Sequence, residues 1–256
     1  LMEKLGVDVL LTLGETPAWA SSRPDRKGPY RYGQLAPPRD IGDWERYVRA
    51  VATRYRGRIR CYELWNEPEV REVDGDRAYF SAGQLVELGQ AAYRIIKEID
   101  ADALLTTPSM VGGEQGIARM DAYLGAGGRA CADVVAFHYY GLPEQIAPYH
   151  AGLLRVMLRH GIAHLPVWNT EFGYLIEDPT ARNTHPLIGG SFARVLPADE
   201  AAIWLGRSLI IAASLGIQRF YWFMWDGKDV GLTTWVGRRQ NAAGVAYGTV
   251  ARWLLG

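Results

Sequence analysis

Residues 59–69 read Ile-Arg-Cys-Tyr-Glu-Leu-Trp-Asn-Glu-Pro-Glu, and residues 165–174 read Leu-Pro-Val-Trp-Asn-Thr-Glu-Phe-Gly-Tyr. Each is a short, largely apolar run of strand length that delivers a glutamate, Glu67 or Glu171, where Pro68 or Gly173 ends the extended pattern. Four more runs of this kind flank them, so the candidate strands are Val7–Leu13, Ile59–Leu64, Ala103–Thr107, Val134–Phe137, Val167–Thr170 and Arg219–Met224. Helical periodicity separates most of them. Trp44, Tyr47, Val48, Val51, Ala52 and Tyr55 form one apolar stripe, and Leu85, Leu88, Ala92, Ile95, Ile96 and Ile99 form another. Leu154, Met157 and Leu158 mark a further helix, with Pro148 in its first turn. Asp199–Leu215 is apolar on most sides, as a tightly packed helix is, and Ala243–Leu255 closes the chain.

Strands alternating with helices predict parallel βαβ units with right-handed crossovers. The connections are unequal. Helix-to-strand links are short (Arg56-Gly57-Arg58, Asp100–Asp102, Gly216-Ile217), whereas strand-to-helix links are long (Glu15–Arg39, Phe172–Ala198, Asp226–Ala242). One end of the sheet is therefore plain and the other decorated, which is the asymmetry of a (β/α)₈ TIM barrel with its site at the C-terminal face. Glu67 and Glu171 both fall on the decorated end. Six strands are legible where a barrel needs eight, and the chain opens Leu-Met-Glu-Lys-Leu-Gly like the end of a helix. The expectation is a single but incomplete barrel domain over residues 1–256, its first two βα units lying upstream. An open doubly wound sheet is the alternative. It calls for a Gly-rich phosphate loop after the first strand, and Leu13-Gly14-Glu15-Thr16-Pro17 is not one.

Of the 256 residues, 28 are Lys or Arg and 28 are Asp or Glu, so no net field favours a nucleic acid or an anionic membrane. The most apolar stretch, Ile203–Ile217, is broken by Arg207 and two serines, which excludes a spanning helix there. Cys61 and Cys131 sit in or beside strands and read as buried free thiols. The sequence does not decide the compartment. There is no Cys-X-X-Cys or His-Glu-X-X-His pattern, and His150, His160, His164 and His185 fall on helix surfaces or loops, so no metal or other cofactor is expected. No Gly-X-Ser-X-Gly elbow marks a serine nucleophile.

Two carboxylates at the mouths of two strands suit glycosidic bond cleavage, one as general acid/base and one as nucleophile. Glu63 lies lower in its strand and Glu69 lies past the proline, so Glu67 is the better placed of its neighbours. An isolated strand-end acid reads as a cap or salt-bridge partner; the matching context of Glu171 is what favours chemistry. His138 and Tyr140 alternate along one strand and share a face, either as a core pair or as lining of the same site. Asn66 is open to a turn-forming reading.

With these pieces in order, the chain resembles the glycoside hydrolases of clan A, and most of all family 39, its endoglycosidase-like and β-xylosidase-like members. The matching elements are Thr16-Pro17-Ala18-Trp19-Ala20, Trp65-Asn66-Glu67-Pro68, His138-Tyr139-Tyr140-Gly141, Thr170-Glu171-Phe172-Gly173 and Tyr221–Asp226. The resemblance spans strands three to eight of that clan's barrel; strands one and two, with the arginine they usually supply near the nucleophile, have no counterpart. It implies a retaining β-glycoside hydrolase of poly- or oligosaccharides, with Glu67 as acid/base and Glu171 as nucleophile. It further implies Asn66 on the sugar 2-OH, His138 and Tyr140 lining the site with Tyr140 donating to the nucleophile, and Trp225 as a flat platform under the sugar. Trp19 is a second candidate platform. Trp222 reads as core, and Trp44, Trp204 and Trp253 as helix packing. A non-catalytic carbohydrate-binding protein on the same scaffold is the rival reading, since fold alone does not exclude it.

Overall fold

The structure is a computed structural model and describes residues 3–180 and 195–255. His185 lies outside the described residues. The chain gathers into two compact units, one of residues 1–110, 114–136 and 155–166, the other of residues 111–113, 137–154 and 167–256.

The first unit is built on a parallel sheet of β1 (Leu10–Leu13), β2 (Cys61–Leu64) and β3 (Leu104–Thr106), with β2 in the middle. Leu10 pairs with Cys61, and Cys61 with Leu104. All four residues of β2 are buried, as expected for a parallel strand covered on both faces. The run from Val7 starts as a strand only at Leu10, because only Leu10–Leu13 finds partners in β2. Four helices belong here: α1 (Ile41–Tyr55), the single turn α2 (Arg71–Asp74), α3 (Ala82–Ile99) and α4 (Gly113–Gly125). Asp40 caps α1 through the Gly42 amide, and Ser81 with Gln84 closes a full capping box on α3. Trp44 buries its ring and donates from Nε1 to the Leu88 carbonyl at 2.9 Å, which ties α1 to α3. Tyr47, placed in the buried stripe by its spacing, is instead 39% exposed at the edge of that face. Cys61 and Cys131 are buried free thiols.

The second unit holds β5 (Val167–Phe172), β8 (Arg219–Trp222) and residues 137–139 of β4 (Val135–Tyr139); the order across the sheet is β4, β5, β8, with β5 and β8 parallel. The long link after Phe172 carries an additional two-residue parallel pair, β6 (Leu175–Ile176) with β7 (Val195–Leu196), too short to leave a periodic trace in sequence. Three helices follow the expected positions: α5 (Ile146–Arg159), α6 (Ala198–Ser214) and α7 (Ala242–Leu255). Several packing expectations are corrected. On α5 the buried face is Leu153, Val156 and Met157, one position off the predicted stripe, and Leu158 is 66% exposed. His150 is no surface residue: it is buried in α5, and desolvation pushes its pKa down. His160 pairs with Asp121. On α6, Ile203 and Ile210 face outward. Trp204 packs edge-on against Tyr174 at 5.3 Å, but Trp253 on α7 is 71% exposed and packs little. The six expected strands are thus present as short parallel sheets with helices between them. Among the described residues no helix is long and apolar enough to cross a membrane.

One glycine sets how closely α3 approaches β2. A Cβ on Gly89 would lie 2.8 Å from Leu64 Cδ2, 2.9 Å from the Tyr123 hydroxyl and 3.0 Å from Cys131 Sγ. The Gly89→Val protein is therefore expected to lose about 1–3 kcal/mol by overpacking. Urea unfolding followed by far-UV circular dichroism checks this through a lower midpoint at unchanged slope.

Candidate active site

Glu67 lies three residues beyond the end of β2, not on it. The ladder ends because the chain turns left-handed at Trp65 (φ 65°) and again at Glu67 (φ 45°). Such angles in non-glycine residues cost on the order of 1–3 kcal/mol each and persist only where the surroundings over-determine them. Here they do. The Trp65 amide donates to the Leu13 carbonyl at 2.8 Å, and the Glu67 amide to the Ser109 carbonyl at 3.1 Å. Ser109 returns two donors to the Trp65 carbonyl, from its amide and its hydroxyl. The Trp65 ring is wedged edge-on against Phe80 at 4.8 Å and tilted against Trp44 at 6.0 Å. Downstream, Arg71 and Phe80 tie the segment back through backbone bonds to Phe80 and Glu69.

Asn66 is exposed beside Glu67, its backbone bridged to Ser109. Glu63, four residues earlier on β2, is 2% exposed and accepts from the Thr12 hydroxyl at 2.8 Å. Trp19 is 74% exposed and, with Trp44, Tyr47 and Trp65, lines a cavity of about 390 Å³ that also touches Glu15 and Arg31. Trp44, expected only to pack, thus also forms a wall.

In the second unit, Glu171 sits on β5 itself. Asn169 pairs with Phe220 and Phe172 with Trp222, so three steps on β5 oppose two on β8, and the extra residue bulges at Thr170-Glu171. A bulge re-aims the side chain it carries. Tyr140 donates its hydroxyl to Glu171 Oε1, and His138 Nδ1 lies 3.9 Å from Oε2. His138, Tyr140 and Glu171 thus lie together. His138 is 1% exposed, so its ring is fixed by burial. Gly173 explains the close fit behind the carboxylate: a Cβ there would meet the Phe223 carbonyl at 2.6 Å and the Tyr140 ring at 3.7 Å. Phe172, fully buried, anchors the strand end in a ring cluster with Phe220 (4.6 Å), Tyr174 (4.9 Å) and Trp222 (5.3 Å).

Trp225 is 57% exposed and lies past the end of β8, which stops at Trp222 rather than Met224 because its ladder with β5 ends there. Its loop is tethered by Trp222 Nε1 to the Val230 carbonyl at 2.8 Å and by the Leu232 amide to the Trp225 carbonyl. Trp222, expected in the core, packs against Phe172 and Tyr174 but is only partly buried.

Three residues around Glu67 left no sequence signal that singled them out. Ser109 follows β3 in an ordinary Thr-Pro-Ser turn. Arg119 on α4 and Asp74 on α2 form a bidentate ion pair, Nε to Oδ2 at 2.7 Å and Nη2 to Oδ1 at 2.6 Å, with side chains only 10% and 9% exposed. Burial raises the Asp74 pKa, but the Arg119 fork and the Val70 amide outweigh it, and the net shift is downward.

No protein-family model matches the chain. Among solved structures, it is similar to a monomeric β-xylosidase from Caulobacter crescentus CB15 (17% identity, TM-score 0.72, 98% of this chain and 54% of that one). It is also similar to a family 39 glycoside hydrolase from Bacteroides cellulosilyticus WH2 (20%, 0.65, 98% and 52%). A family 128 endo-β-1,3-glucanase from Amycolatopsis mediterranei, solved with laminaritriose, aligns at 20% identity and a TM-score of 0.59 over 97% of this chain and 92% of that one. The chain spans about half the length of the first two. At these identities the likeness is one of fold, shared with solved glycoside hydrolases of family 39 and family 128.

The Asp74 shift has a pH signature. A carboxyl with a depressed folded-state pKa contributes stability above its unfolded value of about 3.9, lost as pH falls through the folded value. Asp74→Asn should cost about 3–5 kcal/mol at neutral pH by stranding Arg119. Its deficit relative to wild type should shrink below about pH 4, as Asp74 of the unfolded wild-type chain takes up a proton that the folded protein still excludes. Urea unfolding of both proteins from pH 7 down to pH 3 measures the gap.

Proposed function

We propose that this protein is a retaining β-glycoside hydrolase acting on an oligosaccharide or polysaccharide from a (β/α)₈-type scaffold. Glu171 attacks the anomeric carbon, and Glu67 protonates the departing glycosidic oxygen. The C–O bond to the leaving group breaks as the bond to Glu171 forms, giving a glycosyl-enzyme. Glu67, now ionised, takes a proton from water; the water oxygen bonds to the anomeric carbon and releases Glu171. Two inversions leave the anomeric configuration unchanged.

The observation that carries this reading is the setting of Glu171. Its carboxylate is on a rigid bulged strand, with a tyrosine hydroxyl donating to one oxygen and a buried histidine facing the other. Donors aimed at a carboxylate favour its ionised form, which is the form a nucleophile needs. Glu67 is carried on a backbone that pays strain to present it, a feature that clusters at functional sites. Asn66, exposed beside Glu67, is assigned to the sugar 2-OH. Trp225 and Trp19 present exposed ring faces of the kind that stack on pyranose rings. The named substrates of the fold neighbours, xylosides and β-1,3-glucans, are the first to try.

Glu171→Gln should lower turnover by several orders of magnitude while leaving the fold intact. Glu67→Gln should lower it by about 10²–10⁴-fold on substrates with poor leaving groups. Sodium azide should rescue a Glu67→Ala protein with formation of a β-glycosyl azide, because the small anion needs no general base. Proton NMR of the first-formed product should show the β-anomer. An inverted product would exclude double displacement, and binding of oligosaccharide without any turnover would favour the non-catalytic reading.

Tyr140→Phe removes the donor to Glu171 Oε1 without altering the ring that packs beside Gly173. The expected result is a fall in kcat of about 10–100-fold at nearly unchanged melting temperature. Parallel kinetics and calorimetry separate this from a loss of folded protein.

A further inference from the structure

We propose that Arg119, clamped by Asp74, is the positioning residue that holds Glu67 in its working orientation. The inference rests on the reading of Glu67 as the acid/base.

Upstream of Glu67, the chain is held by the sheet, through Leu13 and Ser109. Downstream it runs through the buried Pro68 to Val70, whose amide donates to Asp74 Oδ2 at 2.8 Å. That same oxygen accepts Arg119 Nε, and its twin accepts Nη2. The guanidinium therefore reaches the Glu67 segment through one carboxylate, from α4, a thirteen-residue helix that lies far from Glu67 in sequence. Glu67 and Glu69 are the two further carboxylates with which its charge interacts. Glu67 occupies left-handed backbone, a conformation that does not sustain itself and needs tethers on both sides. The upstream tether is made of backbone bonds. Downstream, the backbone bonds of Glu69 and Arg71 with Phe80 are joined by this ion pair, whose planar fork fixes a direction that a lysine ammonium, a point charge on a flexible stem, does not.

An acid placed slightly wrong loses most on leaving groups that need its proton and little on those that leave unaided. The test uses the full-length protein, with dinitrophenyl and methyl β-glycosides of the same sugar, xylose or glucose according to which the wild type cleaves. The readout is the ratio of kcat/KM for the two substrates within each variant, which is independent of the fraction folded. Glu67→Gln sets the benchmark by losing activity on the methyl glycoside alone. Arg119→Lys is expected to lose at least about 10-fold on the methyl glycoside and less than about 2-fold on the dinitrophenyl one. Asp74→Asn should show the same selectivity, since it removes the same clamp from the other side. Equal loss on both substrates in the Arg119 and Asp74 variants, or no loss, overturns the positioning role and leaves that of Glu67 standing. Equal loss in Glu67→Gln as well overturns the acid assignment and the inference with it.

Discussion

The interaction on which the first unit depends is the pairing of β2 on both of its edges. A buried parallel strand has no water to satisfy its amides and carbonyls, so it is stable only between two neighbours. Cys61–Leu64 finds them in β1 and β3, and its four side chains fill the core on both faces. The Trp65 amide finds the carbonyl of Leu13, the last residue of β1, and the Glu67 amide that of Ser109, in the segment that follows β3. Those bonds offset the cost of two left-handed residues, of order 1–3 kcal/mol each. The position of Glu67 is thus a consequence of sheet pairing rather than of anything local to Asn66-Glu67-Pro68. The tight seat of α3 over Leu64 at Gly89 protects the same strand from the other side.

Glu171 is held by a different device. It stays within its strand, and a one-residue bulge against β8 turns it while Phe172 locks the strand end into a cluster of four rings. One of its oxygens accepts from the Tyr140 hydroxyl and the other faces His138, whereas the Glu67 segment is fastened mainly by backbone bonds and by the Asp74–Arg119 pair. This chemical asymmetry fits the division proposed between them. A carboxylate that must be an anion is served by a donated hydroxyl; one that must give and take a proton is served by a fixed backbone.

Periodicity and strand-end motifs determined much of this by themselves. The six runs and the helices between them are where the amino-acid order places them, because sheet strands favour short apolar stretches and helix packing demands a 3.6-residue stripe. His138 on β4 and Tyr140 just past its end share a face as their spacing requires, and both lie against Glu171. What only tertiary structure decided depends on partners distant in sequence. The strands Val7–Leu13 and Arg219–Met224 shrink to the lengths their neighbours pair with, since hydrogen bonding rather than hydropathy sets a strand's end. Leu158 and Trp253 turn outward and His150 inward because a helix's rotation is fixed by what packs on it, and one residue moves the face by about 100°. The bulge at Thr170-Glu171, the left-handed turn at Trp65 and the Arg119 clamp leave no mark in composition or period. Each arises where two segments far apart in the chain impose their geometry on a third, and only the folded molecule brings them together.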